Sequence, residues 1–85
     1  MTDLIDATTP QPITTKDHLL QRLKEGFHEH QQGEMEAAKA CYQEVLEIQP
    51  DQFDALQLMG VLLAQSAEPS RAIDYFQKAL ELDPL

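Results

Sequence analysis

The 85-residue chain has no tryptophan, one cysteine, three glycines and only six basic residues against fifteen acidic ones. Each scarcity excludes something. With Cys41 alone, the chain can form neither an internal disulfide nor a cysteine metal cluster. Cys41 lies between Ala37 and Val45 on an apolar helical face, so it reads as a small buried hydrophobe and not as a reactive thiol. Six Lys and Arg residues, scattered along the chain, make no phosphate-binding patch, which argues against nucleic acid as a partner. The net charge of −9 reads as a solvated surface that keeps the chain soluble. No run approaches the ~20 apolar residues that span a bilayer, so no membrane partner is expected. Asp3 and Asp6, with no early Lys or Arg, do not make a secretory signal or a transit peptide, and a cytoplasmic location is the default.

What is present is a repeat. Ala37 to Pro50, moved forward by 34 positions, falls on Arg71 to Pro84. Ala38 meets Ala72, Tyr42 meets Phe76, Leu46 meets Leu80, Pro50 meets Pro84, and Gly26 meets Gly60. A period of this length marks stacked helical hairpins. The 42% apolar fraction can supply a core for one small domain.

Taken in order, residues 1–15 hold threonines with Pro10 and Pro12 and no periodic pattern, and are expected to be a flexible leader. Residues 16–85 are expected to form an all-α domain of four helices in two hairpins, about 17–50 and 51–84. The first helix should start near Thr15 to Asp17 and run to about Gln31. Its apolar stripe is Leu19, Leu20, Leu23, Phe27 and His30. Gly26 inside it costs ~1 kcal/mol against Ala, which predicts close approach of a partner helix there. Gly33 suits a left-handed cap. The second helix should start near Glu34, turn Ala37, Ala38, Cys41, Tyr42, Val45, Leu46 and Ile48 inward, and stop at Pro50. Asp51 should cap the third helix, about Gln52 to Gln65, whose Phe53, Leu56, Met59, Gly60, Leu62 and Leu63 need cover on two sides. The fourth, from Pro69 or Ser70 to Leu82, should bury Ala72, Ile73, Phe76, Ala79 and Leu80, and Pro84 should close it.

This pattern resembles the tetratricopeptide repeat family. The second copy matches through Leu56, Met59, Gly60, Leu63, Ala72, Phe76, Ala79 and Pro84, and the first through Gly26, Gly33, Ala38, Tyr42 and Pro50. The first copy departs where Arg22, Glu25 and Glu29 replace Leu56, Met59 and Leu63, as a terminal repeat with one side turned to water would. The resemblance implies a concave groove lined by the first helix of each hairpin, holding a protein or peptide partner. Carried over by repeat position, its candidates are Leu20, Leu23, Phe27, His30 and Gln31, then Asp54, Gln57, Val61, Ala64 and Gln65. The family's carboxylate-clamping positions hold Leu23, Phe27 and Leu58 here, so clamping of a chain terminus is not expected.

A helix cannot make a metal site of His28 and His30, which point ~200° apart. No nucleophile, base and orienter assemble, and no phosphate loop occurs. The expectation is therefore a non-enzymatic interaction module without metal or cofactor. Its alternatives are a regulatory or substrate-presenting segment of a larger bacterial enzyme such as a transferase, and a homo-oligomer formed through the uncapped C-terminal repeat.

Overall fold

The computed structural model describes residues 15–83. The leader, apart from Thr15, and the closing role of Pro84 lie outside the described residues. Four helices follow one another: α1 (Thr15–Gln31), α2 (Met35–Ile48), α3 (Phe53–Gln65) and α4 (Pro69–Leu82). α1 packs along α2 and α3 along α4, forming two hairpins, while α2 lies on α3 and α1 touches α3 along a narrow seam.

Local chemistry explains the breaks. At the end of α1, Gly33 takes φ +81°. Glu34 N–H then donates to Glu29 C=O at 2.9 Å and Gly33 N–H to His30 C=O at 3.1 Å. These two bonds satisfy carbonyls the helix leaves orphaned. The end of α3 repeats the device 34 positions on. Ala67 takes φ 60°, and Glu68 N–H donates to Leu63 C=O at 2.9 Å. Pro69 occupies the first turn of α4, where its missing N–H costs nothing. The cap of α3 differs from expectation. Gln52, not Asp51, supplies it, with its side-chain Oε1 accepting from Ala55 N–H at 2.7 Å. Asp51 stands exposed in the turn one residue too early to reach that donor.

The core runs through the stack from Leu19 and Leu23 past Ala38, Tyr42 and Val45 to Ala55, Met59, Leu62, Leu63 and Ala72. Tyr42, Val45, Leu56, Met59, Leu62 and Leu63 are fully buried, each side chain contributing roughly 1.5–3 kcal/mol of transfer free energy. Two glycines let the helices meet. A Cβ at Gly26 would stand 2.7 Å from the Tyr42 ring and 2.8 Å from Cys41 Cβ, and one at Gly60 would stand 2.6 Å from the Phe76 ring.

Several residues expected inside are outside. Ala37 and Ile48 face solvent at the outer side of α2. On α4, Ile73 and Leu80 are each 53% exposed, because none of the described helices packs over that face. The α1 stripe divides as well. Leu19 and Leu23 are buried, whereas Leu20 and Phe27 stand out from the packing.

Candidate partner-binding groove

The parting of the α1 stripe creates a concave surface. A cavity of about 550 Å³ opens between α1 and α3. Leu23 and Phe27 wall it from α1, Leu58 and Val61 from α3, and Phe76 of α4 closes its far end. Lys24, Asp54 and Gln57 stand around this apolar lining. Helical spacing positions these groups. Leu23 and Phe27 are four residues apart on α1, as Gln57 and Val61 are on α3, so each pair shares a face. Phe27 is 45% and Val61 40% exposed, large apolar surface that the fold itself does not use.

Of the groove candidates, the structure brings Leu23, Phe27, Asp54, Gln57 and Val61 together. Leu23 serves both roles, buried in the core and flooring the cavity. The others lie elsewhere. Leu20 borders a smaller cleft of about 300 Å³ with Lys16, Gln49 and Gln52. Gln31 and Ala64 are exposed and outside the cavity lining. His30 and Gln65 are joined to one another, His30 Nε2 lying 2.6 Å from Gln65 Oε1.

Phe76 was not foreseeable as a lining residue from its place on a second helix. Its counterpart Tyr42 is fully buried, whereas Phe76, which none of the described helices beyond α3 covers, is only half-buried and lines the groove. Lys24, on the same face as Phe27, carried a signal in its three-residue spacing.

The opposite side of α1 is polar. Arg22 Nη1 donates to Glu25 Oε1 at 2.6 Å and Arg22 Nε to Glu44 Oε1 at 3.0 Å, with His18 Nε2 3.1 Å from Glu44 Oε2. The hydrogen bond from Arg22 holds the Glu25 carboxyl below the usual carboxylate range. Glu25 is exposed, so its pairing with Arg22 adds little stability. Burial pushes the Cys41 thiol up and the Tyr42 phenol up to about 12, leaving both neutral at physiological pH. No group of three His, Cys, Asp or Glu side chains among the described residues is placed to hold a metal ion. No helix among them is long and apolar enough to cross a membrane.

The sequence is similar to parts of known proteins. Over 53 residues the chain is 40% identical to the fission yeast (Schizosaccharomyces pombe) DnaJ homolog subfamily C member 7 homolog, covering 62% of the chain and 11% of that protein. It is 35% identical over 52 residues to the Arabidopsis thaliana protein CTR9 homolog, covering 61% of the chain and 5% of the relative. Against the photosystem I assembly protein Ycf3 of Acaryochloris marina it is 29% identical over 87 residues, covering 99% of the chain and 52% of that protein. The chain thus spans about half, or much less, of the length of these relatives. Residues 20–84 match the tetratricopeptide repeat profile, which takes in both hairpins from Leu20 onward, and the chain belongs to the tetratricopeptide repeat family.

Proposed function

We propose that the chain is a non-enzymatic protein-interaction module, cytoplasmic in location, whose groove takes an apolar segment of a protein or peptide partner. The carrying observation is the 550 Å³ cavity whose walls are Leu23, Phe27, Leu58, Val61 and Phe76. Its charged neighbours, Lys24 and Asp54, are of opposite sign, so nothing in the lining selects a strongly charged ligand. An anchor side chain of Leu, Phe or Met size in the partner would gain most, since a buried apolar anchor dominates such contacts. Gln57 offers both a donor and an acceptor for the partner's backbone.

The test is an array of peptides carrying single large apolar anchors, followed by solution affinities for each one bound. Phe27→Ala and Val61→Arg are expected to weaken binding about tenfold, equivalent to ~1.4 kcal/mol, with Lys78→Ala on α4 leaving it unchanged. If no bound peptide responds to either groove substitution, the groove is not the binding site.

A second reading is favoured by one observation. Ile73 and Leu80, each 53% exposed, lie seven residues apart on the face of α4 that continues from Phe76. This apolar face would support self-association of the chain, independently of what the groove holds.

A further inference from the structure

His30 stood out in the sequence twice, as part of a His-Glu-His run and as a groove candidate. In the fold its ring is half-buried and both nitrogens are engaged within the chain. Nε2 lies 2.6 Å from Oε1 of Gln65 on α3, and Nδ1 lies 3.1 Å from the hydroxyl of Tyr42 on α2. The His30 and Tyr42 rings also meet edge to face, with centroids 5.9 Å apart at 62°.

These distances assign the proton. The oxygen of Gln65 can only accept, so Nε2 carries the hydrogen. In that tautomer Nδ1 presents a lone pair, which receives the Tyr42 O–H. That hydroxyl keeps its hydrogen at neutral pH, because burial pushes the phenol up to about 12. One side chain thereby ties three helices, and neither nitrogen is left for a ligand.

The place of this tie matters more than its strength. His30 lies three residues after Phe27 on α1, and Gln65 lies four residues after Val61 on α3. Phe27 and Val61 are the facing groove walls, so His30 and Gln65 join the two wall helices one turn beyond them. Elsewhere α1 and α3 touch only narrowly. The second hairpin carries Ala64 and Phe76 where the first carries His30 and Tyr42, so the tie belongs to this junction and not to the repeat as such.

We infer that His30 is a positioning residue, a clasp that bonds α1 to α3 at one end of the groove and fixes the spacing of its walls. Its consequence for ligand binding rests on the groove reading, but the clasp itself is a property of the chain without ligand.

The experiment needs no partner. Nitroxide labels at Gln21→Cys and Ala64→Cys, both exposed positions on α1 and α3, report the wall spacing by pulsed electron paramagnetic resonance. Cys41 is buried, with its thiol pushed up, and stays unlabelled. The otherwise unaltered chain is expected to give one narrow distance, which His30→Ala and Gln65→Ala broaden and His28→Ala does not. Should His30→Ala lose helix content, Gln65→Ala decides, since it removes the α3 end of the clasp and leaves His30 bonded to Tyr42. Nitrogen-15 spectra at pH 8 are expected to show His30 fixed in the Nε2–H form, whereas the ring of exposed His28 averages over both tautomers. An unchanged narrow distance in Gln65→Ala, or a His30 ring averaging over both tautomers, overturns the inference. Broadening by Gln65→Ala together with failure of every groove peptide upholds the clasp and removes the groove reading alone.

Discussion

A methyl group added at Gly26 and one added at Gly60 meet the same kind of obstacle, an aromatic ring under 3 Å away, yet should cost different amounts. The Tyr42 ring opposite Gly26 is fully buried and its hydroxyl is bonded to His30, so it has nowhere to go. Phe76 opposite Gly60 is only half-buried and can swing toward the groove. Overpacking costs about 1–3 kcal/mol, and replacing glycine within a helix returns ~1 kcal/mol. Gly26→Ala is therefore expected to destabilise by about 1–2 kcal/mol in urea unfolding, and Gly60→Ala to stay within about 0.5 kcal/mol of the parent. Tyr42 also gives the fold an alkaline limit. Its phenol, and the Cys41 thiol, lose protons less readily when folded, because burial disfavours their charged forms. A raised folded pKa means stability that is present below the unfolded pKa and lost as pH rises through the folded one. Stability from these groups should be flat at neutral pH, begin to fall above about pH 9 as the unfolded thiol and then the phenol ionise, and keep falling to about pH 12. Tyr42→Phe is expected to shallow the fall above pH 10 in a denaturation series, while lowering neutral stability by about 1 kcal/mol through the lost bond to His30.

At the scale of the element, the two left-handed caps are the same device built from unequal residues. Gly33 adopts φ +81° without penalty, whereas Ala67 holds φ 60° against its own Cβ. Ala67→Gly is expected to raise stability by about 0.5–1 kcal/mol, the relief of strain exceeding the entropy glycine adds to the unfolded chain, and calorimetry would read it. An unchanged or lowered melting temperature would show that the turn carries no such strain. The contrast also shows what was legible. Gly33 announced its turn by composition, while Ala67 is silent alone and visible only through its offset of 34 from Gly33. Helix ends followed from proline, glycine and the repeat, because those signals are local. Asp51 and Gln52 are adjacent residues able to cap, and only the geometry of the turn after Pro50 selects the second. For the groove, the family's repeat positions, carried over to this chain, pointed to Leu23, Phe27, Asp54, Gln57 and Val61, which line one cavity. Repeat position could not show that Phe76 joins them or that His30 is consumed by Tyr42 and Gln65, since both depend on contacts between helices distant in the chain.

The four described helices together present two unlike outer faces. One side of α1 carries Arg22, Glu25 and Glu29, and the outer face of α4 carries Ile73 and Leu80. Within the stack, Leu56, Met59 and Leu63 of α3 are buried, and the α1 positions that correspond to these are Arg22, Glu25 and Glu29. A second copy offering its α1 to the α4 face would thus bury two carboxylates and a guanidinium, of which Arg22 is already paired with Glu25 and with Glu44. Head-to-tail stacking into filaments is disfavoured by that cost. Self-association through α4 must then be two-fold and closed, placing Ile73 and Leu80 of one copy against those of another. Sedimentation velocity across a concentration series is expected to show nothing larger than a dimer. Ile73→Glu with Leu80→Glu should abolish the dimer while changing unfolding free energy by no more than about 0.5 kcal/mol, because both side chains are already exposed. Species growing without limit as concentration rises would overturn the argument from the charged α1 face. A loss of several kcal/mol in the double variant would mean that Ile73 and Leu80 support the hairpin itself.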